Sequence, residues 1–269
     1  MRKTRGNRQK SKKPIVIGII VLVFLIVVSI IVYINRDTIF SARDKQEEVT
    51  APQEGQTASK EENIENSNGT KSEEKKEEPT FEIDEGGYPV DVKEAAEPTY
   101  IDGVLIANKK YPLPKDFDPG EDPEALAALD QMAAAAKKAG FELVAFSGYR
   151  SYEYQTQLYA NYANRDGKEA ADRYSARPGH SEHQTGLAFD IGEKGQEDLW
   201  LTEEFGESPA GKWLVENARN YGFILRFPKG KEDMTGFMYE SWHFRYVGKE
   251  LAEKIYKTGL SLEEYLGIE

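Results

Sequence analysis

Pro178-Gly-His-Ser-Glu-His-Gln-Thr-Gly-Leu-Ala-Phe-Asp-Ile-Gly192 is the stretch on which the reading of this chain turns. The chain has three histidines, and two of them, His180 and His183, stand here. His183 and Asp190 are seven positions apart, with Gly186 and a short apolar run between them. That pattern fits a loop entering a strand, with one ligand at each end of a bend and Gly186 supplying the backbone shape between them. Downstream, Glu240-Ser-Trp-His243 adds an imidazole and, three residues before it, a carboxylate. Two imidazoles and one carboxylate, His183, His243 and Asp190, make a three-ligand zinc set that leaves the fourth tetrahedral position for water. A carboxylate that is not itself a ligand, here Glu240, can act as base on that water. Were Glu240 a fourth ligand, the site would be closed and structural. Residues three apart on a regular strand face opposite ways, so Glu240 and His243 reach one site only if the chain turns or bulges near Ser241.

Taken singly, each of these residues has a plainer reading as a hydrogen-bonded histidine or a solvated acid. Together they form a pattern. Ser181-x-His183-x-x-Gly186-x-Ala188-x-Asp190, followed by Glu240-x-x-His243 and preceded by Arg150 in Ser147-Gly-Tyr-Arg-Ser151, resembles the zinc D-alanyl-D-alanine carboxypeptidases of the VanY type. The likeness is to their peptidoglycan D,D- and L,D-carboxypeptidase branch and covers roughly residues 100–266. It implies a Hedgehog/D-Ala-D-Ala-peptidase-like zinc peptidase domain with Zn2+ as cofactor. It also implies a peptidoglycan stem peptide as substrate and a substrate contact from Ser181. His180 falls outside the matching pattern and is expected at the rim.

Arg150 follows a strand end, and its planar fork suits a substrate carboxylate or a developing oxyanion. Gln155 and Tyr159 share a helical face and are expected to line the substrate groove. The expected activity is hydrolysis of a terminal D-alanine, with Glu240 and Arg150 as the catalytic pair. Two rivals stand beside it: an endopeptidase on the same fold, and a tethered wall-binding module that keeps the metal structurally.

The charge is unevenly spread. The net charge is −12, but seven basic residues and no acids precede Pro14, so the remainder carries 28 basic against 47 acidic residues. A body that acidic will not bind nucleic acid through phosphates. Ile15 to Ile34 holds no charged residue and at 1.5 Å per residue is long enough to cross a bilayer as a helix. The basic cluster before it predicts a cytoplasmic tail (1–14), a single transmembrane helix (15–34) and a body on the extracytoplasmic side of the cell membrane. The chain has no cysteine, which excludes disulfides and thiolate ligands. Residues 35–98 are rich in Glu, Lys, Ser and Asn and predict a disordered acidic linker. Phe81 to Val92 is a candidate strand pair or small cap within it.

From residue 99 the composition is that of a folded, monomeric catalytic domain running to 269. Asp122 with Pro123 opens a helix that stops at Gly140, and Phe141 to Phe146 is a strand delivering Arg150. Ser151 and Ser208-Pro209 start further helices, and Ser261-x-x-Glu264 is a capping box. Leu187–Ile191, Phe223–Phe227 and Ser241–Tyr246 read as strands. Helices and strands mix without regular βαβ alternation, which makes the domain α+β with a small, mostly antiparallel sheet.

Overall fold

Side-chain alternation along four short strands decides where everything else packs. The computed structural model describes residues 82–90 and 95–268. In chain order, β1 (Thr99–Ile101) and β2 (Val104–Ile106) form a hairpin. A helix α1 (Pro123–Lys138) leads to β3 (Leu143–Ser147), then α2 (Tyr152–Asp166) and the short α3 (Lys168–Ala171). After β4 (Ala188–Glu193) come α4 (Glu204–Glu207), α5 (Pro209–Asn217) and β5 (Phe223–Leu225). The chain closes with α6 (Glu232–Thr235), β6 (His243–Tyr246), α7 (Lys249–Thr258) and α8 (Leu262–Leu266). The main sheet has the order β3-β4-β6-β5 and is antiparallel throughout. This is the expected mixed α and β domain with a small antiparallel sheet.

Local capping chemistry sets the helix starts. The Asp122, Ser151 and Ser208 side chains each accept from a backbone N–H in the first turn, and Pro follows Asp122 and Ser208 at a position that needs no donor. The capping box of Ser261 and Glu264 is complete in both directions.

Period-two alternation gives the sheet two faces. Phe189, Ile191, Phe223 and Phe244 point to one of them and pack with Met132 of α1 and Leu214 of α5 in the main core. Ile224 points the other way and joins Ile106, Ile255 of α7 and Leu262 of α8 in a second core. Asp190, His243 and Arg245 alternate with core residues, so they too lie on this second face. The site therefore borders the second core.

Residues 82–90 correct the expected boundary. A bridge joins Ile83 to Pro89, and Tyr88 is buried. Asp84 pairs with Arg177 at 2.7 Å, the Arg177 guanidinium lies 4.0 Å from the Tyr88 ring, and Lys109 donates to the Gly86 carbonyl. The segment is thus packed on the domain as a small cap, and the start of folded chain lies upstream of residue 99. The acids and glycines of this segment suit a solvated linker as well as the small cap expected within it, and the contacts that anchor the cap are with the distant Arg177 and Lys109. The basic tail, the apolar run Ile15–Ile34 and the rest of the stretch up to residue 81 lie outside the described residues. Among the described residues, no helix is long and apolar enough to cross a membrane.

Candidate metal centre and active site

Strand register brings the polar residues into a row. Asp190 on β4 stands opposite His243 on β6 and opposite Ser147 on β3. A bulge between Ala145 and Ser147 re-aims the end of β3, where Arg150 leaves the sheet. His183 arrives from the 3-10 turn Glu182–Thr185 just before β4. Gly186 ends that turn at φ 72°, and a Cβ there would collide with the Gly120 carbonyl, so no other residue fits. Ser241 and Trp242 form the turn that the spacing of Glu240 and His243 requires, closed by the His243 N–H to the Glu240 carbonyl at 3.4 Å.

His183, Asp190 and His243 are all buried, and their ligand atoms lie within 4.8 Å of one another. Asp190 Oδ1 is 3.3 Å from His183 Nε2 and 3.2 Å from His243 Nδ1, and it accepts no hydrogen bond. His183 Nδ1 lies 2.7 Å from the Gly148 carbonyl, which can only accept, so Nδ1 carries the proton and the Nε2 lone pair faces the cluster. For His243 the ring is turned over: Nδ1 faces Asp190, and Nε2 faces Glu182 Oε2 at 3.5 Å. Two imidazole nitrogens and a carboxylate with an unsatisfied buried oxygen, converging on one point, are the donor set of a zinc site. The residues fit the metal.

Arg150 is held from three sides. Its Nε donates to Ser147 Oγ at 3.0 Å, Nη1 to Gln155 Oε1 at 3.3 Å and Nη2 to Asp190 Oδ2 at 2.7 Å. The same Nη2 lies 2.6 Å from His183 Nε2 and so covers that lone pair, while Asp190 Oδ1 stays without a donor. Glu240 is buried beside them, its Oε2 3.6 Å from His243 Nδ1. Burial pushes the Glu240 carboxyl up to about 8, helped by Asp190 and opposed by His243 and Arg150. Burial and then Arg150 hold His183 down to about 4, so its contact with Asp190 joins a neutral ring to a carboxylate. Burial also disfavours the charged form of His243, but Asp190 and Glu182 outweigh it and raise the group to about 9.

A cavity of about 520 Å³ opens onto this cluster. Arg150, Gln155, Ser181 and Glu240 line it with the three clustered residues, and His180 lines it as well. Gln155 is itself buried; it accepts from Arg150 and donates to the Ala176 carbonyl at 2.7 Å, so it braces the arginine and the loop before Ser181. Tyr159 is the correction. It is not among the lining residues, and its hydroxyl donates to Asp172 at 2.7 Å. The wall of α2 is made by the i, i+4 stripe Tyr154, Leu158 and Tyr162 with Gln155 beside it, so the expected face holds at Gln155 and fails at Tyr159.

Sequence reasoning also missed Glu182, which stands behind His243. Its Oε1 accepts from Arg226 Nε at 2.8 Å and Arg245 Nη1 at 2.9 Å. Arg226 makes a two-pronged contact with Glu263 of α8 at 2.8 and 2.5 Å, and Glu263 also accepts from Asn108. All four charged residues are buried, and the two arginines, acting against the cost of burial, hold the Glu182 carboxyl well below the usual range.

A family model described as VanY, D-alanyl-D-alanine carboxypeptidase, matches residues 120–249. YodJ of Bacillus subtilis is 43% identical over 181 residues, which span 60% of this chain and 66% of that protein. The bifunctional D-Ala-D-Ala dipeptidase and D-Ala-D-Ala carboxypeptidase VanXYC of Enterococcus gallinarum is 35% identical over 177 residues, 60% of this chain and 92% of that one. Among solved structures, the L,D-carboxypeptidase DacB from Streptococcus pneumoniae superposes with a TM-score of 0.56 at 54% identity, over 62% of this chain and 87% of that one. A VanY D,D-pentapeptidase in complex with Zn(II), from a VanB-type vancomycin resistance cassette, superposes with a TM-score of 0.52 at 38% identity, over 60% and 97%.

Proposed function

The chain belongs to the VanY family of D-alanyl-D-alanine carboxypeptidases, and from that premise we propose that it is a zinc carboxypeptidase that removes the C-terminal D-alanine from peptidoglycan stem peptides. One observation carries the reading. His183, Asp190 and His243 converge in a single cavity with a buried carboxylate, Glu240, beside them but outside the ligand set. His183, Asp190 and His243 would hold the zinc. When bound, zinc supplies Lewis-acid polarisation of the scissile carbonyl and lowers the pKa of the attacking water towards ~7. Glu240, which the positive charge of a bound zinc would hold in its carboxylate form against the effect of burial, takes the proton from that water and passes it to the leaving amine. Arg150 offers its charge and the Nη1 hydrogen that Gln155 leaves free to the terminal carboxylate or to the developing oxyanion, and Ser147 and Gln155 fix the plane of its fork. Ser181 contacts the peptide beside the metal.

The scissile bond is the L,D bond of a tetrapeptide stem. Supporting this is the higher identity to an L,D-carboxypeptidase, 54%, than to a D,D-pentapeptidase, 38%. The apolar run Ile15–Ile34 anchors the protein in the cell membrane, with a monomeric body on the extracytoplasmic side. Mass spectrometry of defined tetra- and pentapeptide stems after incubation with the zinc-loaded protein tests the reading. Loss of a single alanine residue is the expected result, fastest from the tetrapeptide. Cleavage inside the stem would put the endopeptidase reading in its place, and no cleavage of any stem would remove both.

A further inference from the structure

Two large apolar side chains at the cavity are open to solvent, Tyr154 of α2 at 56% exposure and Leu201 at 53%. Leu201 also has a backbone conformation that its side chain disfavours, with φ 58°. Among the described residues only one other non-glycine residue has positive φ, Asp102, which sits in the tight turn between β1 and β2 where short polar side chains are at home. Leu201 too stands in a tight turn, Leu199–Thr202, closed by the Thr202 N–H to the Leu199 carbonyl at 3.3 Å, but at the position where such a turn favours glycine or asparagine over leucine.

The backbone around Leu201 is pinned on both sides. Trp200 stacks on Phe146 with centroids 4.6 Å apart and planes 8° from parallel, and its indole N–H donates to the Glu193 carbonyl. Thr202 Oγ1 donates to the Leu199 carbonyl, and the Thr202 carbonyl accepts from Ser241 Oγ, next to Glu240. Strain that persists because its surroundings fix it is a mark of functional sites. The pinning leaves an apolar side chain at the cavity, next to the turn that carries Glu240.

We propose that Leu201 and Tyr154 are a substrate-gripping pair at the mouth of the cavity, closing on the side-chain methylenes of the peptide on the N-terminal side of the scissile bond. The inference rests on the carboxypeptidase reading. The small terminal residue and its carboxylate go inward to Arg150, so the rest of the polymer has to leave through the mouth. There, apolar contact is what two half-exposed hydrophobic groups can give. Such a contact raises affinity for the stem without touching the reacting bond, so its loss appears in KM and not in kcat.

Steady-state kinetics of zinc-loaded Leu201→Gly and Tyr154→Ala on a tetrapeptide stem test this. Each is expected to raise KM about 5- to 10-fold, the equivalent of burying half of such a side chain, with kcat within about 2-fold. Glycine relieves the φ of residue 201, so the thermal midpoint of Leu201→Gly is expected to hold or rise. The combination of unimpaired stability and raised KM is what a packing role for Leu201 would not produce. An unchanged KM in both variants, or a lower midpoint with lower kcat in Leu201→Gly, overturns the gripping pair while leaving the carboxypeptidase reading intact. Failure of the unmodified protein to cut any stem overturns that reading, and the pair with it.

Discussion

Glu182 and His183 are neighbours in the chain, both buried, and each belongs to a different cluster of charge. Around Glu182, two arginines and Glu263 meet at 2.5–2.9 Å, the Asn108 amide donates to Glu263 and Arg245 to the Leu105 carbonyl, and the Glu182 oxygen left without a hydrogen bond is Oε2, the one turned away from the arginines. Around His183, imidazoles and carboxylates stand 3.2–3.6 Å apart with the Arg150 guanidinium 2.6 Å from His183 and 2.7 Å from Asp190, Asp190 Oδ1 accepts no hydrogen bond, and a cavity opens onto them. Burial of charge therefore does not by itself mark a site. Two buried carboxylates balanced by two guanidinium groups make a scaffold. Buried lone pairs left without donors make a place for a cation. Glu182 belongs to both, because its Oε2 is turned to His243 Nε2.

The comparison is broken most severely by Arg226→Met. That change removes a guanidinium from between Glu182 and Glu263 and leaves two buried carboxylates without their shared partner. Breaking a buried pair in this way costs about 3–5 kcal/mol, and denaturant unfolding should show that loss as a lower midpoint at similar slope. A shift below ~1 kcal/mol would mean that the lattice carries no structural weight.

Glu182→Gln sharpens the link between the clusters. Partners behind a metal-binding histidine orient the ring and raise its basicity, and losing one typically costs about 10- to 100-fold in metal affinity. Competition for zinc against a chromophoric chelator should give that drop. Equal affinity would show that His243 is held without help from Glu182.

Lys109 supplies the smallest effect and a third kind of buried charge. Its ammonium lies 5.1 Å from the Tyr88 ring centroid and 4.8 Å from that of Phe237 and donates to the Gly86 carbonyl. Burial lowers it to about 8, with Arg177 acting in the same sense and Asp172 and Asp84 against it. The unfolded chain holds this proton up to about 10.5, so between those values the unfolded state binds more protons and stability rises with pH. Unfolding of the zinc-loaded protein from pH 8 to 10 should show that upward contribution, and Lys109→Met should lack it. Identical slopes for the two proteins would contradict the burial of this charge.

These clusters also explain what could be read from the chain and what could not. That His183, Asp190 and His243 come together was legible because zinc chemistry restricts residue types and the motif fixes their spacing. The helix starts at Asp122, Ser151, Ser208 and Ser261 were legible because a cap is a contact between residues three apart. Glu182 was not, since its partners lie 44 and 63 residues away and nothing local distinguishes it from a surface acid. Tyr159 was misplaced, beside a correctly placed Gln155, because that helix is polar on most sides and, apart from Gln155, buries none of its residues fully. The small cap expected within residues 81–92 was hard to tell from linker for a related reason: Asp84 and Tyr88 depend on Arg177, far along the chain.

The central claim is that three residues hold the zinc and Glu240 does not. Zinc content per chain of Glu240→Gln, set beside its turnover of a tetrapeptide stem, tests this most directly. The account predicts about one zinc per chain, as in the unmodified protein, with turnover reduced about 10²–10⁴-fold for want of the general base. Loss of the zinc from Glu240→Gln would make Glu240 a ligand and contradict the account.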